Sequence, residues 1–158
     1  MNQTAKEIDP PSMRFDFIYS DTDNPTPFSR EEIADFLFNH LDEYGDEKHD
    51  ISSCIGYAYG DKAGQDGFVL AAYRDGKLKG AVIMNHTNMG GYIPEYILVY
   101  IAVHGEARGQ GIGKQLMKRA IDAAEGDIAL HVEPHNPARH LYEKYGFTNK
   151  YLEMRLKK

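Results

Sequence analysis

The chain has 158 residues, enough for one domain with a real core, and combines a formal net charge of −6 with 42% hydrophobic residues. That acidic balance excludes nucleic acid as the main partner, because such affinity rests largely on Lys and Arg neutralising phosphates. No apolar run approaches the roughly 18 residues of a membrane span, and the first twelve residues contain no hydrophobic signal core.

These properties, with a lone Cys54 that has no disulfide or metal partner, lead us to expect a single cytoplasmic domain over residues 1–158. Cys54 itself reads as a small buried apolar residue. Met1 to Ser12 reads as a loose lead-in and Arg14 to Tyr19 as a first strand. Asp21 to Pro27, rich in Asp and Pro, reads as a loop. Ser29 and Glu32 have the spacing of a capping box, after which Ile33, Phe36, Leu37, His40, Leu41 and Tyr44 recur at helical intervals. A second helix is expected from about Ile51 to Tyr59. Phe68 to Tyr73 and Leu78 to His86 then flank Asp75-Gly76, the turn chemistry of a β-hairpin.

Glu95 to His104 reads as a long central strand. The helix after it, Ile112 to Glu125, should bury Leu116, Met117, Ala120, Ile121 and Ala124 before Gly126 stops it. Asp127 to Glu133 is expected as a further strand. Asn136 is suited to N-cap a helix that has Pro137 at its first position and ends at Gly146, and Phe147 to Leu156 is expected to close the sheet. The fold class is therefore α/β (α+β), a mixed and largely antiparallel sheet flanked by helices, with ligand beyond the ends of the central strands.

The most informative stretch is Arg108-Gly109-Gln110-Gly111-Ile112-Gly113, at a junction from strand to helix. Three glycines leave few Cβ atoms to block an anion, and the helix N-terminus adds roughly half a unit of positive charge. A dinucleotide fingerprint starting at Gly109 needs glycine where Lys114 stands, and only 44 residues follow for a second nucleotide half. A Walker loop ending in Gly113-Lys114 needs glycine in place of Arg108 and Ser or Thr in place of Gln115.

What survives is Arg-x-x-Gly-x-Gly, which resembles the acyl-CoA pyrophosphate loop of the GCN5-related N-acetyltransferase (GNAT) superfamily. Further on, Asn136 to Phe147 contains Leu141-Tyr142-Glu143-Lys144-Tyr145-Gly146-Phe147, similar to that superfamily's C-terminal helix and following strand. The two motifs span about the last 65 residues; the N-terminal half matches only as an order of elements.

The resemblance implies an acetyl-CoA-dependent N-acetyltransferase with direct transfer to a primary amine in a ternary complex. A non-catalytic acyl-CoA-binding module on the same fold is the alternative. It implies cofactor contacts along Ile101, Ala102 and Val103, around Arg108, Gly109, Gln110, Gly111, Ile112, Gly113 and Lys114, and at Asn136, Arg139 and Tyr142. Lys118 is a further cation near the loop. The pantetheine arm would pair with the strand edge, and the N–H groups of Ile101 to Val103 would receive the developing oxyanion.

An amine with a pKa near 10.4 is almost wholly charged at pH 7, so a base is needed. Glu95, 13 residues before Arg108, has the spacing of the base in the histone-acetylating branch. His131, five residues before Asn136, matches a catalytic position in enzymes that acetylate protein N-termini. The two are left as alternatives. Tyr142 occupies the position of the acid that meets the departing thiolate. The chain departs from the pattern in two places: Asn136 precedes Tyr142 by six residues where many members have seven, and Gly105 stands where many have proline.

No metal is expected, since His104, His131, His135 and His140 fall on separate elements without ligand spacing. No motif of a covalent nucleophile is present. Among partners, the acceptor is a small-molecule amine or a protein or peptide amine, with no nucleic acid and no membrane; a homodimer is compatible with the sequence. Tyr57, Tyr59, Tyr73, Tyr92, Tyr96 and Tyr100 are numerous enough to line an acceptor pocket, though tyrosines are also common in half-buried strands.

Overall fold

A computed structural model describes residues 12–158. The expected lead-in therefore lies, except for Ser12, outside the described residues. The elements run β1 (Arg14–Ile18), α1 (Arg30–His40), α2 (Lys48–Ala58), β2 (Gly67–Arg74), β3 (Lys77–His86), β4 (Tyr96–Val103), α3 (Ile112–Ala123), β5 (Ile128–Leu130) and α4 (Ala138–Lys144). Short 3-10 turns at Asp42–Tyr44 and Gly105–Ala107 follow α1 and β4.

The five strands form one sheet in the order β1-β2-β3-β4-β5, antiparallel throughout except for the parallel β4–β5 pair. The hairpin at Asp75-Gly76 forms as expected, both residues at positive φ. The Ser29–Glu32 capping box also forms, closing the first turn of α1 in both directions. One apolar layer lies between the sheet and α1 and α2, built on Ile33, Leu37, Ile51 and Ile55; the other lies against α3 and α4, built on Leu116, Met117 and Tyr142. Burying Leu116 and Met117 fully contributes about 1.5–3 kcal/mol each. α3 comes so close to β3 that a Cβ on Gly80 would lie 2.7 Å from Leu116.

One irregularity positions the site. The β3–β4 register shifts between Ile83, opposite Tyr100, and Met84, opposite Leu98, so that Val99 has no partner. This extra residue turns the alternation over: Leu98 is buried on the α3 side and Tyr100 on the α1 side.

Several expected boundaries change. The strand expected at Asp127 to Glu133 shortens to Ile128–Leu130, ahead of a turn containing Pro134. α3 stops at Ala123 on an extended Ala124, so Gly126 does not end it. Gly126 instead lies under Glu95, whose side chain would be 2.7 Å from a Cβ there. α2 begins at Lys48, earlier than expected, and β4 begins after Glu95 and ends before His104. Pro137, not Asn136, is the N-cap of α4, although the Asn136 side chain still accepts the Ala138 N–H at 2.9 Å.

The closing strand expected at Phe147 to Leu156 does not form. Tyr151, Leu152, Met154 and Leu156 are 78–89% exposed. With β5 only three residues long, few rungs are on offer to offset the roughly 1–2 kcal/mol per residue of backbone entropy that docking would cost.

Candidate active site

Beyond β4 the chain makes its 3-10 turn, passes Arg108, and enters α3 through Gly109 and Gly111 at φ +80° and +82°. A side chain at either position would be strained by that backbone, while the space a Cβ would occupy is open to 4 Å. Gly111 is the N-cap of α3, with no side-chain hydrogen bond to the helix and no acidic residue in its first turn. By contrast α1 starts with a capping box and with Glu31 and Glu32. The first N–H groups of α3, around Ile112, Gly113 and Lys114, thus face outward with nothing of their own to neutralise them.

The nearby cations are arranged differently from expectation. Arg108 is turned back onto the body of the protein: its Nη2 donates to the His40 carbonyl at 3.1 Å and to Asp42 at 3.0 Å, and its Nε reaches the Val103 carbonyl at 3.4 Å. Arg139 pairs with Glu143 one turn along α4. Gln110, Lys114 and Lys118 are exposed.

Beside this loop the sheet forks. The β4–β5 pairing covers only Tyr96–Ile128, Ile97–Ala129 and Leu98–Leu130, and ends where the Val99 bulge begins. The His104 N–H donates to Lys79 on the β3 side. Because hydrogen bonding alternates along an antiparallel strand, the N–H of Ala102 faces β3 too, and those of Ile101 and Val103 face the fork. Of the three residues expected to offer donors there, two have that orientation.

Tyr142 belongs to the apolar layer beneath the fork, only 8% exposed, with its ring 6.0 Å from and edge-on to Phe147. Burial pushes its phenol up to about 12. Gly146, at φ +93°, lets the chain reverse so that the N–H of Phe147 bonds the Tyr142 carbonyl, the left-handed close expected for α4. Asn136 spends its Oδ1 on Ala138, leaving its Nδ2 for another acceptor.

The base candidates lie at different depths. Glu95 sits before the first β4–β5 rung, at the closed end of the fork, where its Oε2 accepts the Asp127 N–H at 2.8 Å. That bond holds its carboxyl below the usual range. A depressed carboxyl contributes stability above the ordinary carboxylate range and loses it on acidification. His131 is exposed and follows directly on the last rung, at the point where the strands part.

The sequence alone did not single out the segment joining α1 to α2, which touches both rims of the fork. Asp42 holds Arg108 on one side, and Tyr44 packs on His135 at 5.7 Å on the other. Phe38, Asp42, Gly45, Asp46, Glu47 and Asp50 line an open depression of about 500 Å³ there, and the Tyr100 hydroxyl donates to Asp46. Helical periodicity ends at this segment and its partners are 54 to 91 residues away in sequence, so no local pattern marks it. Among the described residues no three metal-ligating side chains converge, and no helix is long and apolar enough to cross a membrane.

A sequence profile of the acetyltransferase (GNAT) family matches residues 19–147. The chain belongs to that family. Solved structures share the fold: a ribosomal-protein-alanine N-acetyltransferase from Brucella melitensis biovar Abortus 2308 is 21% identical with a TM-score of 0.63, the match covering 92% of this chain and 99% of that one. A protein from Pyrococcus horikoshii OT3 is 24% identical with a TM-score of 0.66, over 90% and 93% of the two chains. An aminoglycoside N-acetyltransferase in complex with CoA is 17% identical with a TM-score of 0.63, over 94% and 97%. No curated protein matches the chain in sequence. The mixed sheet with helices on both faces, read from the sequence, is the architecture of this GNAT member and of these neighbours.

Proposed function

We propose that the protein is an acetyl-CoA-dependent N-acetyltransferase acting on a primary amine. The observation that carries this is the uncapped, acid-free N-terminus of α3 opening beside a forked strand edge whose N–H groups have lost their neighbour. The glycine cradle fits a pyrophosphate, because open space and outward N–H groups lie where its charge would sit. Asn136 Nδ2 and the edge of β4 suit the amide groups of a pantetheine arm.

In this reading the amine nitrogen forms a bond to the thioester carbon while the carbon–sulfur bond breaks. The N–H groups of Ile101 and Val103 meet the charge that develops on the carbonyl oxygen. His131, at the fork, takes the amine proton, and Tyr142 donates toward the thiolate. A thiol pKa near 8.5 makes that thiolate a fair leaving group already. The carboxylates around the depression favour a cationic amine nearby.

The direct test is a panel of small and peptide amines mixed with acetyl-CoA, following free thiol and the acetylated amine. Release with at least one amine is expected. Binding of acetyl-CoA without release on any amine would replace this reading with a non-catalytic acyl-CoA-binding module.

The base is tested separately. His131→Ala is expected to lower turnover at pH 7 by about a hundredfold or more and to steepen the recovery of rate as pH rises, since an amine that is already neutral no longer needs the base. Glu95→Gln is expected to keep the wild-type pH profile, because its carboxylate is spent on Asp127. The opposite pattern, a lowered rate with a steeper recovery on raising pH in Glu95→Gln alone, would move the base to Glu95.

A further inference from the structure

The turn that delivers the chain into the glycine loop is held by two histidines that the reaction does not use. Three consecutive N–H groups are fixed by them: Gly105 donates to His40 Nδ1 at 3.2 Å, Glu106 to His104 Nδ1 at 3.1 Å, and Ala107 to the His104 carbonyl at 2.9 Å. The two imidazole rings lie 4.2 Å apart, tilted by 37°, with Phe36 against them both. Arg108, the next residue of the loop, bonds the carbonyl of the same His40. The last turn of α1 is thereby tied to two of the four residues that precede the first loop glycine, Gly105 and Arg108, while His104 holds the two between them. Glycine at 105 matters here, since a proline would have no N–H to give.

We propose that His40, with His104, is a positioning residue for acyl-CoA binding, holding the phosphate loop through an Nδ1 that must stay unprotonated, so that protonating His40 weakens the cofactor's hold. This rests on the reading of the glycine loop as the acyl-CoA site. An imidazole nitrogen that accepts an N–H cannot carry a proton of its own. Protonation would set two donors against each other at Gly105 and bring a cation up to Arg108. The groups facing His40 are His104 at the end of β4, Arg108 on the loop, Asp42 after α1 and Glu106 in the turn.

Burial, then His104, then Arg108 hold the His40 imidazole below its ordinary range, with Asp42 and Glu106 acting in the other direction. For a depressed imidazole the stabilised form is the neutral one. The tie is therefore complete above the ordinary imidazole range and is lost as pH falls through the depressed value. A bound polyanion would attract an imidazolium, an effect of opposite sign. Partial exposure and salt screen that attraction, whereas the hydrogen bond to Gly105 is local and all-or-none.

The test uses the full chain, with free CoA as the probe, by calorimetric titration at about pH 8 and about pH 5.5. His40→Asn keeps an acceptor oxygen near the Nδ1 position and cannot titrate; His40→Phe keeps the ring and loses the acceptor. Between the two pH values the wild type is expected to lose about three- to tenfold more affinity than His40→Asn. That comparison cancels the titration of the ligand's own phosphate. At pH 8 His40→Phe should bind about three- to tenfold more weakly, with the change in the acetyl-CoA KM rather than in kcat, and His40→Asn should restore it. Equal pH dependence in wild type and His40→Asn, or tighter wild-type binding in acid, overturns the inference. If His40→Phe does not fold, as melting would show, the Asn comparison decides alone. A wild type that binds no CoA at either pH overturns the cofactor reading itself.

Discussion

Gly111→Asp is expected to abolish the thermal stabilisation that acetyl-CoA gives the wild type. At a hundred times its dissociation constant, a ligand that binds only the native state adds about 2.7 kcal/mol. For a domain of this size that is a rise of several degrees in melting temperature. Asp tolerates the left-handed conformation of Gly111 better than most residues, at a cost of about 1 kcal/mol, so the variant should fold. Its carboxylate would then lie at the N-terminus of α3, accept the N–H groups now left outward, and repel a phosphate from the same place. Gly111→Ala separates the two effects, since it carries the backbone strain without the charge, and should lose only part of the shift. Melting curves with and without millimolar acetyl-CoA read all three proteins. An Asp variant that shifts as far as the wild type would remove the loop from cofactor binding.

Tyr142→Phe is expected to lower turnover by about ten- to a thousandfold while acetyl-CoA affinity changes little. The substitution isolates the hydroxyl: Phe fills the same buried space against Phe147 and the α3 layer, so packing and melting temperature should barely move. A phenol pushed up to about 12 stays protonated over the working range, and can stabilise the departing sulfur by donating a hydrogen bond. Single-turnover measurements with saturating acetyl-CoA keep product release out of the comparison. Unchanged turnover would leave Tyr142 as a core aromatic and nothing more.

The parts of the fold that the sequence made legible are those written in short-range chemistry. Ser29 with Glu32, Asp75 with Gly76, and Gly109 with Gly111 each specify a backbone conformation within five residues, and all take it up. Amphipathic spacing likewise located α1 and α3 to within a few residues. What could not be read depends on tertiary partners. Phe147 to Leu156 alternates well enough for a strand, yet strand formation needs an edge to pair with, and β5 gives it three residues. Gly126 looked like a helix stop because glycine often is one. Its role is set by Glu95, 31 residues earlier in the chain, whose carboxylate crosses over it to Asp127. Arg108, expected at the cofactor loop, also braces Asp42, an ion pair spanning 66 positions that no periodicity encodes.

The two sides of the fork differ in how firmly they are built. β2, β3 and β4 share long antiparallel ladders, whereas β5 is joined to the sheet by three parallel rungs. From β5 onward the chain leans on α3, through the Tyr145 hydroxyl on the Lys114 carbonyl and through apolar contacts of Leu141 and Phe147. The cleft is therefore a rigid wall facing a compliant one. Any force that prises it wider is resisted by the weakest seam in the sheet, and the β4 wall, with its bulge and its outward N–H groups, keeps its geometry while the opposite wall yields.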